Sequence, residues 1–155
     1  MGEAPELNDD FRDMLGCLRD AEVEFVIVGA HALSVHGFPR ATGDIDILVR
    51  PTPENAVRVM HALSLFGAPT SAHGVTVTDF ATLGNVYQIG LPPRRIDILT
   101  EISGVDFDRA RASRVVSVVG GLELPFLGRD ALIANKRAAG RPKDLVDADA
   151  LERLP

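Results

Sequence analysis

The run Asp44-Ile45-Asp46-Ile47-Leu48-Val49 constrains this chain more than any other stretch. It is built of strong β-formers around two carboxylates. Side chains at i and i+2 of a strand share a face, so Asp44 and Asp46 sit side by side while Ile45 and Ile47 point the other way. Two like charges held that close repel unless a proton or a cation separates them. A hard, oxygen-seeking ion such as Mg²⁺ is one resolution; a wet strand face with solvated carboxylates is the other. The tetrapeptide Ile45-Asp46-Ile47-Leu48 returns as Ile96-Asp97-Ile98-Leu99. If the two strands are neighbours, Asp97 can join the same face, and three carboxylates there would suit a two-metal site. A plain recurring strand pattern is the alternative.

The rest of the chain supplies a mixed α/β frame for these strands. Phe11, Met14, Leu15 and Leu18 recur at helical spacing after a possible cap at Asn8 or Asp9. Phe25 to Val28 reads as a buried strand, Ala30 to His36 as a helix stopping near Gly37 and Pro39, and Pro53 as the start of a helix to about Phe66. Gly67 to Gly84 offers only weak alternation at Val75 and Val77. Asn85 to Ile89 and Arg95 to Leu99 read as strands joined by Gly90-Leu91-Pro92-Pro93, and Asp106 to Ser113 as one or two helical turns. Gly120-Gly121 marks a hairpin between Val115–Val119 and Leu122–Phe126. Two helices follow, Gly128 to Ala139 and Pro142 to Leu154. The expected fold is α/β (α+β), a mixed sheet flanked by helices, in a single domain over 1–155. Its core is about 8–103, with a C-terminal hairpin and two helices over about 106–155.

Composition sets limits on partners. Hydrophobic residues make up 46% of 155, enough to bury a core, and aromatics are few. A net charge of -6 gives no global footprint for nucleic acid. Cys17 stands alone, so no intrachain disulfide forms, and its amphipathic setting reads as a buried thiol. Met1 to Glu6 is acidic without an apolar stretch, so it does not read as a leader, and no apolar run approaches membrane-spanning length. The expected location is cytoplasmic.

Upstream of the acidic strand, Val26-Ile27-Val28-Gly29-Ala30-His31 is a strand that breaks at glycine and enters a helix. Glycine allows close approach of the backbone to a ligand, and a helix N-terminus offers N–H groups to a phosphate. Gly29-Ala30, a spacer, then Asp44-Ile45-Asp46-Ile47 resembles the signature of the DNA polymerase beta-like nucleotidyltransferase superfamily. Within it, the run from Gly29 to Leu33 and on through Pro39-Arg40-Ala41-Thr42-Gly43-Asp44 is similar to small bacterial AbiEii-like proteins, which include toxin halves of toxin–antitoxin and abortive-infection systems. Lys136, Arg141, Asp144 and Asp147 resemble that group's C-terminal motif, so the likeness spans about Phe25 to Leu151. Ala30 departs from the pattern, which has Gly or Ser there; a hydroxyl contact to phosphate is lost and the backbone N–H is kept.

The resemblance implies a nucleotidyltransferase core and transfer of a nucleoside monophosphate from an NTP, such as ATP, to a hydroxyl. Asp44, Asp46 and Asp97 would be catalytic and would hold two Mg²⁺ ions, with Mn²⁺ as an alternative. Gly29 and Ala30 would cradle phosphates, and Lys136 would reach them. Arg40 and Thr42 are nucleotide-side candidates, Thr42 equally a turn cap. Asp144 and Asp147, three apart on a helix, read as structural partners of Lys136 or Arg141. His31 and His36, five apart, are poorly spaced as ligands and read as packing or surface residues, His31 being the one placed to line the pocket. His61 and His73 read as partnerless and solvent-facing, and Arg94-Arg95 as a solvated pair that could instead steer an anionic acceptor. Three acceptors stay open: a tRNA end, a protein side chain or a small-molecule hydroxyl. The acidic balance disfavours a large RNA, since Arg137, Arg141 and Lys143 form the only obvious basic cluster near the expected site. A cognate antitoxin is conceivable as partner. A nucleotide- or partner-binding module without catalysis is the competing class.

Overall fold

The computed structural model describes residues 7–155. The acidic stretch Met1 to Glu6, and with it the reading that no leader is present, lies outside the described residues. In chain order the elements are α1 (Asp9–Asp20), β1 (Phe25–Val28), α2 (Gly29–Val35), β2 (Asp44–Val49), α3 (Pro53–Phe66), α4 (Val77–Phe80), β3 (Val86–Ile89), β4 (Arg95–Leu99), α5 (Phe107–Ala112), β5 (Val115–Val119), β6 (Leu122–Phe126), α6 (Arg129–Ala139) and α7 (Pro142–Glu152). Local chemistry explains most boundaries. The Asn8 side chain accepts from the Phe11 N–H at 2.9 Å and starts α1. Thr52 caps α3, with Pro53 in its first turn. Gly140 closes α6 in the left-handed region at φ 71°.

The strands form one mixed sheet in the order β3-β4-β2-β1-β6-β5. β2 runs parallel to β4 and antiparallel to β1, while the C-terminal hairpin joins through β6 parallel to β1. The hairpin therefore extends the central sheet. The register aligns Asp46 with Asp97 and Asp44 with Arg95 across β2 and β4, and Val28 with Asp46 across β1 and β2. One face carries Ile45, Ile47, Val49, Ile96 and Ile98 and packs on the apolar sides of α1 and α3. The other carries Val26, Val28 and Leu48 against Leu33, Phe107, Leu132 and Leu151 from α2, α5, α6 and α7. The carboxylates stand on this second face.

Two local expectations change. The weakly patterned stretch after α3 contains α4. Thr76 and Asp79 form a capping box, with the Thr76 N–H donating to Asp79 Oδ2 at 2.8 Å, and the turn drives Phe80 into the core. Cys17 is half-buried, because it lies at the margin of the α1 stripe made by Met14, Leu15 and Leu18. Among the described residues no helix is long and apolar enough to cross a membrane.

Candidate active site

Strand alternation and the β2–β4 register bring the three carboxylates together. One oxygen from each of Asp44, Asp46 and Asp97 lies within 4.8 Å of the others. Asp97 is buried; Asp44 and Asp46 are half-buried. The crowding shows in protonation. Burial, then the charge of Asp44, then contact with and charge from Asp97 push Asp46 from 3.8 up to about 7, against a smaller lowering by Arg95. Thr42 fixes the first carboxylate: its Oγ1 lies 3.0 Å from Asp44 Oδ1 and 2.9 Å from the Asp44 carbonyl, and accepts from the Asp44 N–H at 3.3 Å.

Arg95 is the member of the site that sequence reasoning missed. Its Nη2 donates to Asp44 Oδ2 at 2.5 Å and to Asp97 Oδ2 at 3.2 Å. Its Nε faces Asp97 Oδ1 at 3.2 Å without the alignment a hydrogen bond needs, so both atoms are buried with no hydrogen-bond partner among the described residues. The expected solvated Arg94–Arg95 pair is thereby corrected. Arg94 reaches Asp10 at 3.4 Å, while Arg95, two residues before Asp97, shares its face and enters the triad. The signal was available: parallel pairing of the two Ile-Asp-Ile-Leu runs places Arg95 opposite Asp44.

Of the three carboxylates, Asp46 lines a cleft of about 520 Å³, together with Gly29, Glu101, Lys136, Arg141 and Asp144 among others. Gly29 has φ 70°, and a Cβ there would collide with the Asp46 carboxylate, so glycine is required on both counts. Ala30 follows, half-buried, at the start of α2. On the facing side Lys136 Nζ lies 3.5 Å from Asp144 Oδ1 and 3.3 Å from Asp147 Oδ2. Asp144 also accepts from Arg141 Nε at 2.6 Å, and these hydrogen bonds hold its carboxyl below the usual range. Asp147 is paired with Arg40 through both carboxylate oxygens. The expected pairing of Asp144 and Asp147 with Lys136 or Arg141 is present: two buried carboxylates face Lys136, Arg40 and Arg141. Arg40 thus reaches the site through Asp147.

The histidines stand apart from the cleft lining. His31 is 2% exposed, edge-on to Phe11 at 5.8 Å, with no partner on either ring nitrogen among the described residues. Burial pushes its pKa from 6.5 down to about 4, the Asp44 charge opposing weakly, so the ring is neutral. It packs against Phe11 and does not line the cleft, a correction to its expected place. His36 Nε2 meets the Leu127 carbonyl at 2.8 Å. His61 is exposed as expected, but His73 has a partner, its Nδ1 lying 2.8 Å from the Tyr87 hydroxyl. A second cavity, about 390 Å³, adjoins the cleft through Glu101, Ile102 and Gly104. Its cation, Arg50, is held by Glu24 and Asp108 at 2.6 Å each and lies over the Phe107 ring. Neither the carboxylate triad nor Lys136 lines this second cavity.

This six-stranded mixed sheet with helices on both faces has a nucleotidyltransferase-type fold. It matches the crystal structure of a putative nucleotidyltransferase from Thermotoga maritima at TM-score 0.57 and 16% identity, over 92% of this chain and 88% of that one. At such identity the likeness establishes the fold. No protein-family model matches the chain, and no curated protein matches it.

Proposed function

We propose that the protein is a divalent-metal-dependent nucleotidyltransferase that moves a nucleoside monophosphate from an NTP to an acceptor hydroxyl and releases pyrophosphate. The observation carrying this reading is the convergence of Asp44, Asp46 and Asp97, with Asp46 at the edge of a cleft that Gly29 and Lys136 also line. The donor set fits a hard ion: three carboxylates, no sulfur or imidazole, a buried Asp97 oxygen without a hydrogen-bond partner, and a guanidinium already drawn between the outer carboxylates. Asp44, Asp46 and Asp97 would hold two Mg²⁺ or Mn²⁺ ions, and these would supply neutralisation of the triphosphate's charge. Asp97, the most buried of the three, orients the attacking hydroxyl and takes its proton. Gly29 and Ala30 let the triphosphate approach the backbone, and Lys136 meets its charge. The new bond joins acceptor oxygen to α-phosphorus, and the bond from α-phosphorus to the bridging oxygen breaks.

The finer reading is an AbiEii-like, toxin-type enzyme of the cytoplasm using ATP or another NTP, with tRNA or a protein as acceptor and a cognate antitoxin as partner. What supports it is that Lys136, Arg141, Asp144 and Asp147 of the tail form one ionic cluster at the cleft. A small-molecule hydroxyl is the second acceptor reading. It is favoured by the consumption of nearby cations in ion pairs: Arg137 on Asp149 and Glu152, Arg141 on Asp144. The test is incubation with labelled NTPs, Mg²⁺ and a cell lysate, with pyrophosphate release followed in parallel. The wild type should label a macromolecule or small molecule, and Asp44→Asn and Asp46→Asn should not. NTP binding without pyrophosphate release on any acceptor would leave only a binding module.

A further inference from the structure

We infer that Arg95 is the resident counter-ion of the acidic triad, and that a divalent ion enters only in exchange for it. The inference rests on the metal-site reading above and deepens it. The guanidinium spans both strands, holding Asp44 Oδ2 on β2 and Asp97 Oδ2 on β4. These belong to the carboxylates a metal would claim, and one oxygen cannot serve a planar fork and a metal's inner shell equally well. Arg95 is therefore a competitor as well as a neutraliser. Its hold is incomplete. The Nε and Asp97 Oδ1 are misaligned, and no hydrogen bond from Arg95 to Asp46 is formed among the described residues. Its side chain is 31% exposed, so it can swing out without unpacking the core.

The exchange has a consequence for substrate order. A bare metal ion must displace Arg95 and leave the guanidinium to water. A metal arriving with a polyphosphate brings anionic oxygens that the released guanidinium can pair with. Metal and nucleotide then assist one another's binding, and the coupling passes through Arg95. Arg95 is a positioning residue in this scheme, acting on the carboxylates that hold the ion.

Calorimetric titration with Mn²⁺ alone, and again with a non-hydrolysable ATP analogue, tests the exchange. Arg95→Gln should bind Mn²⁺ alone about tenfold more tightly than wild type, and the analogue should add less to its Mn²⁺ affinity. Arg95→Lys, which keeps the charge but loses the fork, should tighten it severalfold and carries the test if Arg95→Gln does not fold. Arg94→Gln should match wild type. A merely structural Arg95 predicts the reverse, weaker Mn²⁺ binding in both Arg95 variants. Unchanged or weaker binding there, with wild type still better than Asp46→Asn, overturns the exchange and leaves the metal site standing. Failure of wild type and Arg95 variants alike to bind Mn²⁺ better than Asp46→Asn overturns both.

Discussion

Replacing Asp46 by Asn removes a charge that the folded, metal-free protein holds at a cost. The side chain is half-buried, beside Asp44 and Asp97, and its pKa is raised from 3.8 to about 7. A carboxyl with a raised pKa binds its proton more tightly when folded. Stability is then highest below the unfolded pKa near 4, falls as pH rises toward 7, and stays low above it. The shift corresponds to about 4 kcal/mol at full strength; solvent at the half-buried group lowers the expectation to about 2 kcal/mol. His31 acts in the opposite sense. Its pKa is depressed from 6.5 to about 4, so its contribution grows as pH rises through that window. The measure is therefore the difference between variant and wild type, in which His31 cancels. With EDTA present, Asp46→Asn should match wild type near pH 4 and exceed it at pH 8.5 by about 2 kcal/mol, or about 4–8 °C in Tm. Urea melts at both pH values read this. With Mg²⁺ the order should narrow or reverse, since only wild type gains from the ion. An Asp46→Asn protein less stable than wild type at pH 8.5 in EDTA would refute the account of a repulsive triad.

Three further perturbations follow from the same geometry. Gly29→Ala puts a Cβ into the Asp46 carboxylate at φ 70°, so it should lose about 1–3 kcal/mol in urea melts and most NTP–Mg²⁺ binding by thermal shift. Asp144→Ala takes a buried partner from Lys136, which keeps Asp147, and from the exposed Arg141, and should cost about 1.5–3 kcal/mol in urea melts; retention of wild-type stability would count against the ionic cluster. Measured as the difference from wild type in urea melts, in which Asp46 cancels, His31→Leu should be most favoured near pH 4 and lose that advantage as pH rises to about 6.5, with little change in Mg²⁺-dependent stabilisation.

Legibility differed between the triad and what surrounds it. The carboxylates were readable because β alternation has period 2, and two identical Ile-Asp-Ile-Leu runs nearly force their acids onto one face once they pair. Helix ends were readable where the caps are local, as at Asn8, Thr52 and Gly140. Less readable were contacts set by long-range packing. Arg40 meets Asp147 across most of the chain, and His31 is buried by Phe11 of another helix. Residue spacing within either segment holds no trace of the other. Two misses were different in kind, because the information was local and went unused: Thr76 and Asp79 have capping-box spacing, and Arg95 stands two before Asp97.

The Arg95 case shows why reading acidic strands by their acids alone falls short. Carboxylates that converge on one face must be neutralised in the metal-free protein, or the fold loses several kcal/mol to repulsion. A proton on Asp46 is one remedy and a guanidinium is the other, and this chain uses both: Asp46 titrates near neutrality while Arg95 holds Asp44 and Asp97. On the proposed metal-site reading, each remedy would give way to a divalent ion. Proton release on metal binding and loss of the Arg95 pairs are two measures of one event, and the first should grow in Arg95→Gln, where Asp46 loses the cation that now lowers its pKa.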